Sequence, residues 1–135
     1  MGLHNSNSNY IHALTLLYHL MIHADNEVDP RELKMGQIML EKEGLNSVQF
    51  LKQVKEFDDL DSTLVYDRCL AYLKKCNVDQ QMRCIAWMAI VANADGFMAR
   101  EEWKLIHKIY HNELDLSLAM IMALQREINA AIWLS

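Results

Sequence analysis

The sequence predicts an all-α fold: a single-domain bundle of about seven helices with an internal helix-turn-helix duplication. Three observations predict it. One proline and four glycines in 135 residues are too few breakers for a strand-and-turn architecture. Apolar residues recur at three- and four-residue spacing along most of the chain, the period of a helix face. The stretch from Ala24 to Glu32 returns, altered, as the stretch from Ala94 to Glu102, seventy positions further on. Across that offset Asp25/Asp95, Glu32/Glu102, Lys34/Lys104 and Glu43/Glu113 are identical, and Leu33/Trp103, Met35/Leu105 and Met39/Ile109 stay apolar. Each copy ends one apolar helix and opens another, so the turn between them is the place to look for function.

The elements follow in order. A first helix over about Ser8 to Ala24 is apolar nearly all round except for a stripe of His12, Thr15, His19 and His23, and such a helix is mostly buried. The second has Asp29 as N-cap, Pro30 at its first position, Glu32 to complete a capping box, and Gly44 as its stop. Asn46 or Ser47 opens an amphipathic third helix to about Phe57, and Asp61 or Ser62 opens a fourth that closes near Lys74, Lys75 and Cys76, cations at the negative helix end. The fifth, about Asp79 to Ala94, has no charge from Cys84 to Ala92 and is expected beside the first at the bundle centre. The sixth, Arg100 to about Asn112, is expected to bury Trp103, Ile106, Ile109 and Tyr110. The seventh, about Ser117 to Leu134, is unusually apolar, and its Met120, Ile121, Leu124, Ile128, Ile132 and Trp133 are expected either to cap the core or to leave a patch for a second subunit in a homodimer.

Length and 52% hydrophobic content fit one core. Residues 1–9 are expected to be a flexible polar lead and 10–135 the helical domain. A net charge of -5 supplies no basic stripe for phosphates, which argues against nucleic acid. Cys69, Cys76 and Cys84, odd in number and on apolar faces, fit reduced core thiols and a cytoplasmic setting. No apolar run approaches the ~20 residues needed to span a bilayer.

Ala94-Asp95-Gly96 followed by Glu102, and Ala24-Asp25-Asn26 followed by Glu32, resemble the TerB-like family of tellurite-resistance proteins, which is similar to the N-terminal region of certain membrane-anchored DnaJ-type co-chaperones. The resemblance runs by helix order from roughly Tyr10 to Trp133. It implies a helical bundle around duplicated acidic turns, without enzymatic activity, with roles in cytoplasmic stress response, protein scaffolding and cation binding. Position by position it implies Asp25 and Glu32, and Asp95 and Glu102; Ala99 stands where a capping oxygen is expected, so the first turn, with Asp29, is the better-equipped of the two.

Taken together, Asp25, Asp29, Glu32, Asp95 and Glu102 offer oxygen ligands to calcium or magnesium. Capping and local turn bonds explain the same residues without an ion, and the Asp29-to-Glu32 spacing needs nothing more. An EF-hand is excluded: counting from Asp25, Pro30 holds the glycine position and Gly36 the bidentate glutamate position, and from Asp95 the latter is Ile106. His19/His23 and His107/His111 have the four-residue spacing that lets two imidazoles chelate a metal. Arg100 and Lys104 share a face with the second pair and oppose a cation there; the first pair is expected to be a polar stripe meeting water. No nucleophile elbow or phosphate-cradling glycine loop is present. The expectation is therefore a non-enzymatic module acting on protein partners or a divalent cation; the alternative is a metal-dependent hydrolase using His19, His23, Asp25 and the acidic turns.

Overall fold

A computed structural model of the chain describes residues 2–24, 28–45, 47–57, 60–94, 96 and 98–134, with the backbone alone at 2–7, 47, 49, 51, 54 and 134. Among the described residues there are seven α-helices and no strand: α1 (Gly2–Ile22), α2 (Pro30–Glu43), α3 (Ser47–Phe57), α4 (Ser62–Lys75), α5 (Val78–Ala92), α6 (Arg100–His107) and α7 (Leu118–Leu134), with a π-helical segment, Lys108–Glu113, continuing α6.

Local chemistry sets most boundaries. Asp29 caps α2 by accepting the Arg31 amide at 2.8 Å, Pro30 takes the first position, and Gly44 ends the helix at φ 67°, where a side chain would be strained. Asp61 caps α4 through the Thr63 amide, and Asn77 caps α5 with Gln80 returning the bond to its amide. The fifth helix thus opens at Val78, one residue before the sequence expectation. The first helix begins at Gly2 rather than near Ser8, and no proline or glycine lies between Leu3 and Ile22.

Helix α1 lies at the centre, packed chiefly on α4 and α5, while α7 packs on the other side of α5. Its expected polar stripe does not meet water throughout: Thr15 is fully buried and turns its hydroxyl back to the Ile11 carbonyl at 2.7 Å, and His19 is buried against Phe57. Three packed neighbours, α3, α4 and α5, leave this helix too little free surface for a solvated stripe. Trp87 of α5 is fully buried, and Cys69, Cys76 and Cys84 are buried and unbridged. Burial pushes the Cys69 thiol up to about 12 and Cys84 well above its ordinary value, so both stay protonated and inert.

Two contacts lock α2 onto this centre. Gly36 sits where α2 crosses Tyr18, and a Cβ there would lie 2.6 Å from Tyr18 Cζ. Glu43 accepts Arg83 Nε at 2.5 Å and Nη2 at 2.9 Å, the Trp87 indole at 3.0 Å and the Tyr10 hydroxyl, joining three helices through one carboxylate.

The acidic corners as candidate functional site

The duplication seen in the sequence is repeated in backbone hydrogen bonds. At the first corner α1 ends with the Ala24 amide on Met21 O at 3.2 Å, and α2 opens with the Leu33 amide on Asp29 O at 3.2 Å. At the second, α5 ends with the Ala94 amide on Val91 O at 3.1 Å, and α6 opens with the Trp103 amide on Ala99 O at 3.0 Å. Every one of these partners is seventy positions from its counterpart. Gly96 turns the second corner at φ 103°, a conformation that favours glycine.

Of the five candidate ligands, Asp29, Glu32 and Glu102 are described, and Asp25 and Asp95 lie outside the described residues, as do Asp58 and Asp59 of the acidic run before α4. The two glutamates hold the same position in both copies and are both buried, with 4% and 3% exposure for Glu32 and Glu102. Carboxylates are rarely this buried without a specific reason. Part of the reason is capping. Glu32 Oε1 accepts the Asp29 amide at 3.4 Å, and Glu102 Oε1 accepts the Ala99 amide at 2.9 Å.

The corners then diverge. Both Asp29 oxygens are taken by Arg31, whose Nε lies 3.2 Å from Oδ1 and Nη2 3.0 Å from Oδ2; these bonds hold the Asp29 carboxyl below its ordinary value. Arg31 thus neutralises the oxygen that favoured the first turn as a cation site. At the second corner Ala99 offers no side-chain oxygen, and Glu102 Oε2 is buried with no hydrogen-bond partner among the described residues. A buried carboxylate oxygen that no donor among the described residues reaches fits a hard cation's ligand chemistry.

The flanks of both corners share a cleft of about 300 Å³. His19, His23 and Ala24 line it from the end of α1, Ser62 from the start of α4, and Glu101 and Leu105 from α6. Glu101 is a neighbour that sequence reasoning missed, because nothing local says that α6 lies across the end of α1. The His19 and His23 rings are 4.7 Å apart and tilted by 52°. Among the described residues no three His, Cys, Asp or Glu side chains are arranged to hold a metal ion, so the hydrolase alternative gains no support.

On the other side of the second corner, Trp103 is 43% exposed rather than buried as expected. Ile106, Ile109 and Tyr110 fill the face toward the core, and Trp103 lies outside it against His107 and Tyr110, at 6.1 and 6.3 Å between ring centroids. The π-helical winding stacks His107 on His111 at 4.8 Å with their planes 12° apart, and parallel rings do not converge on one ion.

These features define a class: an α-helical bundle turned twice through acidic corners, each closed by a buried glutamate. The chain matches the family model described as tellurite resistance protein TerB over residues 11–124, and it belongs to that family. No curated protein and no solved structure matches it. The match ends inside α7, so the last turns of that helix lie beyond it. No helix among the described residues is long and apolar enough to cross a membrane.

Proposed function

We propose that the chain is a non-enzymatic TerB-family module that holds a divalent cation, calcium or magnesium, at its acidic corners, and that the ion-loaded corners dock a protein partner. The observation that carries this reading is Glu102 Oε2, a buried carboxylate oxygen with no donor among the described residues. Its copy Glu32 is buried alike, and the flanks of both corners line one cleft. Asp95 with Glu102 is the favoured pair, because Arg31 already occupies the Asp29 carboxylate; Asp25, Asp29 and Glu32 form the second-ranked set. The family's name supports a role in tellurite or related stress, and three reduced thiols suit the cytoplasm.

Amide NMR under calcium or magnesium titration tests the reading. Saturable shifts are expected around residues 94–102 at up to millimolar ion, and Glu102→Gln, which retains a capping oxygen, is expected to abolish them without unfolding the chain. Absence of any shift in the unsubstituted protein at millimolar ion would end the proposal.

A further inference from the structure

We infer that α7 is the interface of a twofold dimer in which the α7 helices of two copies run parallel to each other. The helix turns only one side to its own body: Ile121 and Ile128 are buried, Leu124 is half-buried, and α5 is its main neighbour. Ala119, Ala123 and Ala130 are exposed and fall on one line along the opposite side, given roughly 100° of turn per residue. Small residues on such a line let two helices approach closely.

The flanks of that line decide what covers it. On one side stand Met122, Arg126 and Trp133, and on the other Met120 and Glu127, all exposed, although Met120, Ala123 and Glu127 also line a cleft with Asp79, Met82 and Arg83 of α5. Trp133, at 82% exposure, is the most open large apolar side chain of the protein's described residues. Arg126 and Glu127 have no ion-pair partner among the described residues. Consecutive residues are about 100° apart around a helix, so these two charges straddle the alanine line. A twofold axis parallel to the helices brings the left flank of one copy against the right flank of the other at equal height. Arg126 then meets Glu127 of the second copy, and the reverse pair forms by symmetry. The same operation sets Met122 against Met120 of the second copy. An antiparallel pair would instead bring like flanks together and oppose Arg126 to Arg126. Self-complementarity of both charge and apolar surface therefore favours a second copy, in parallel, over an unrelated partner. One helix pair makes a small interface, so the dimer is one that dissociates on dilution.

Sedimentation velocity between roughly 1 μM and 1 mM protein is expected to show a monomer–dimer equilibrium. Arg126→Glu or Glu127→Arg alone would weaken it at least tenfold, and the two together would restore it. The sites are exposed, so circular dichroism should find all three variants folded. Because the native thiols are buried, an engineered cysteine reports alone under mild oxidation. Ala130→Cys is expected to cross-link at least tenfold faster than Lys34→Cys on α2. A monomer at every concentration, single charge reversals without effect, or equal cross-linking of the two cysteine variants would each overturn the parallel dimer.

Discussion

The two repeats spend the same length of chain after their corners and wind it differently. α2 carries 14 residues as one α-helix, and Gly44 stops it at once. Its copy spends 8 residues on α6 and 6 on the π-helical segment, and the left-handed residue that ends it is Asp115, at φ 51°. A π turn bonds five residues apart, as the Leu114 amide does to Ile109 O at 3.0 Å, and so rotates later side chains away from their α-helical positions. Glu43 therefore enters a network with Tyr10, Arg83 and Trp87, while Glu113, the same residue in the copied sequence, stays half-buried at the edge. Between 30–43 and 100–113 only Glu32/Glu102, Lys34/Lys104 and Glu43/Glu113 are identical, so the repeats differ both in local sequence and in the neighbours that receive each side chain. Tyr10 and Arg83 have no counterparts around Glu113, because their own copies are Gln80 and Ala13.

The sharpest way to break this asymmetry is at Glu43. Glu43→Ala strips a buried carboxylate from Arg83, Trp87 and Tyr10, and the expected cost is about 3 kcal/mol, the low end for breaking a buried pair, since Arg83 is 38% exposed and can reach water. Urea unfolding measures it. Glu113→Ala should cost far less. Burial pushes the Glu43 carboxyl up, but the bonds from Arg83, Tyr10 and Trp87 and the Arg83 charge outweigh it, and the folded value lies below the ordinary 4.5. A carboxylate depressed by folding contributes stability that is complete above its unfolded pKa and is lost as pH falls through the folded value. Glu43→Gln is therefore expected to flatten the loss of stability on acidification below pH 4.5; an unchanged acid limb would show that the network carries no linkage.

A second contrast is one of size. Tyr18 faces Gly36 in the first repeat, and the equivalent positions in the second are Met88 and Ile106, both buried. Gly36→Ala would gain roughly 1 kcal/mol in helix propensity but drives a Cβ to 2.6–2.7 Å from Tyr18 Cζ and Cε1. Overpacking costs about 1–3 kcal/mol, so a net loss of about 1 kcal/mol is expected in thermal or urea unfolding. Combining it with Tyr18→Met, the residue type of the second repeat, should recover the loss; if the double variant is worse than the sum, the two repeats pack by different rules.

The smallest effect repairs rather than breaks. Ala99 has the extended backbone of a helix cap, φ -66° and ψ 153°, but no capping oxygen. Ala99→Ser is expected to add about 1 kcal/mol, visible as a raised melting temperature. A null result would mean that Glu102 already satisfies the helix start.

Much of this architecture was legible in the sequence where causes are local. Asp29, Pro30, Glu32 and Gly44 bracket α2 by chemistry within a few residues, and the seventy-residue echo foretold two corners whose hydrogen bonds coincide. The unreadable parts are long-range. Trp103 continues the apolar pattern of α6, and only the presence of Ile106, Ile109 and Tyr110 already filling the inner face leaves it outside. His19 belongs to a polar stripe, and its burial depends on Phe57 arriving from α3. The Arg31 grip on Asp29 depends on the rotamers of two side chains, which the capping pattern does not specify. Glu43 and Glu113 are identical in the two copies, a signal of kinship that says nothing about which of them finds an arginine.

The three tryptophans sit at three depths: Trp87 sealed in the core, Trp103 partly open beside the second corner, and Trp133 almost fully open on α7. Their emission should consequently separate by colour and by access to a soluble quencher. Blue, protected fluorescence from Trp87 reports global unfolding, and the red, quenchable light of Trp133 reports what happens at the far end of the chain. Single-tryptophan versions of the protein would turn this gradient into a built-in optical ruler.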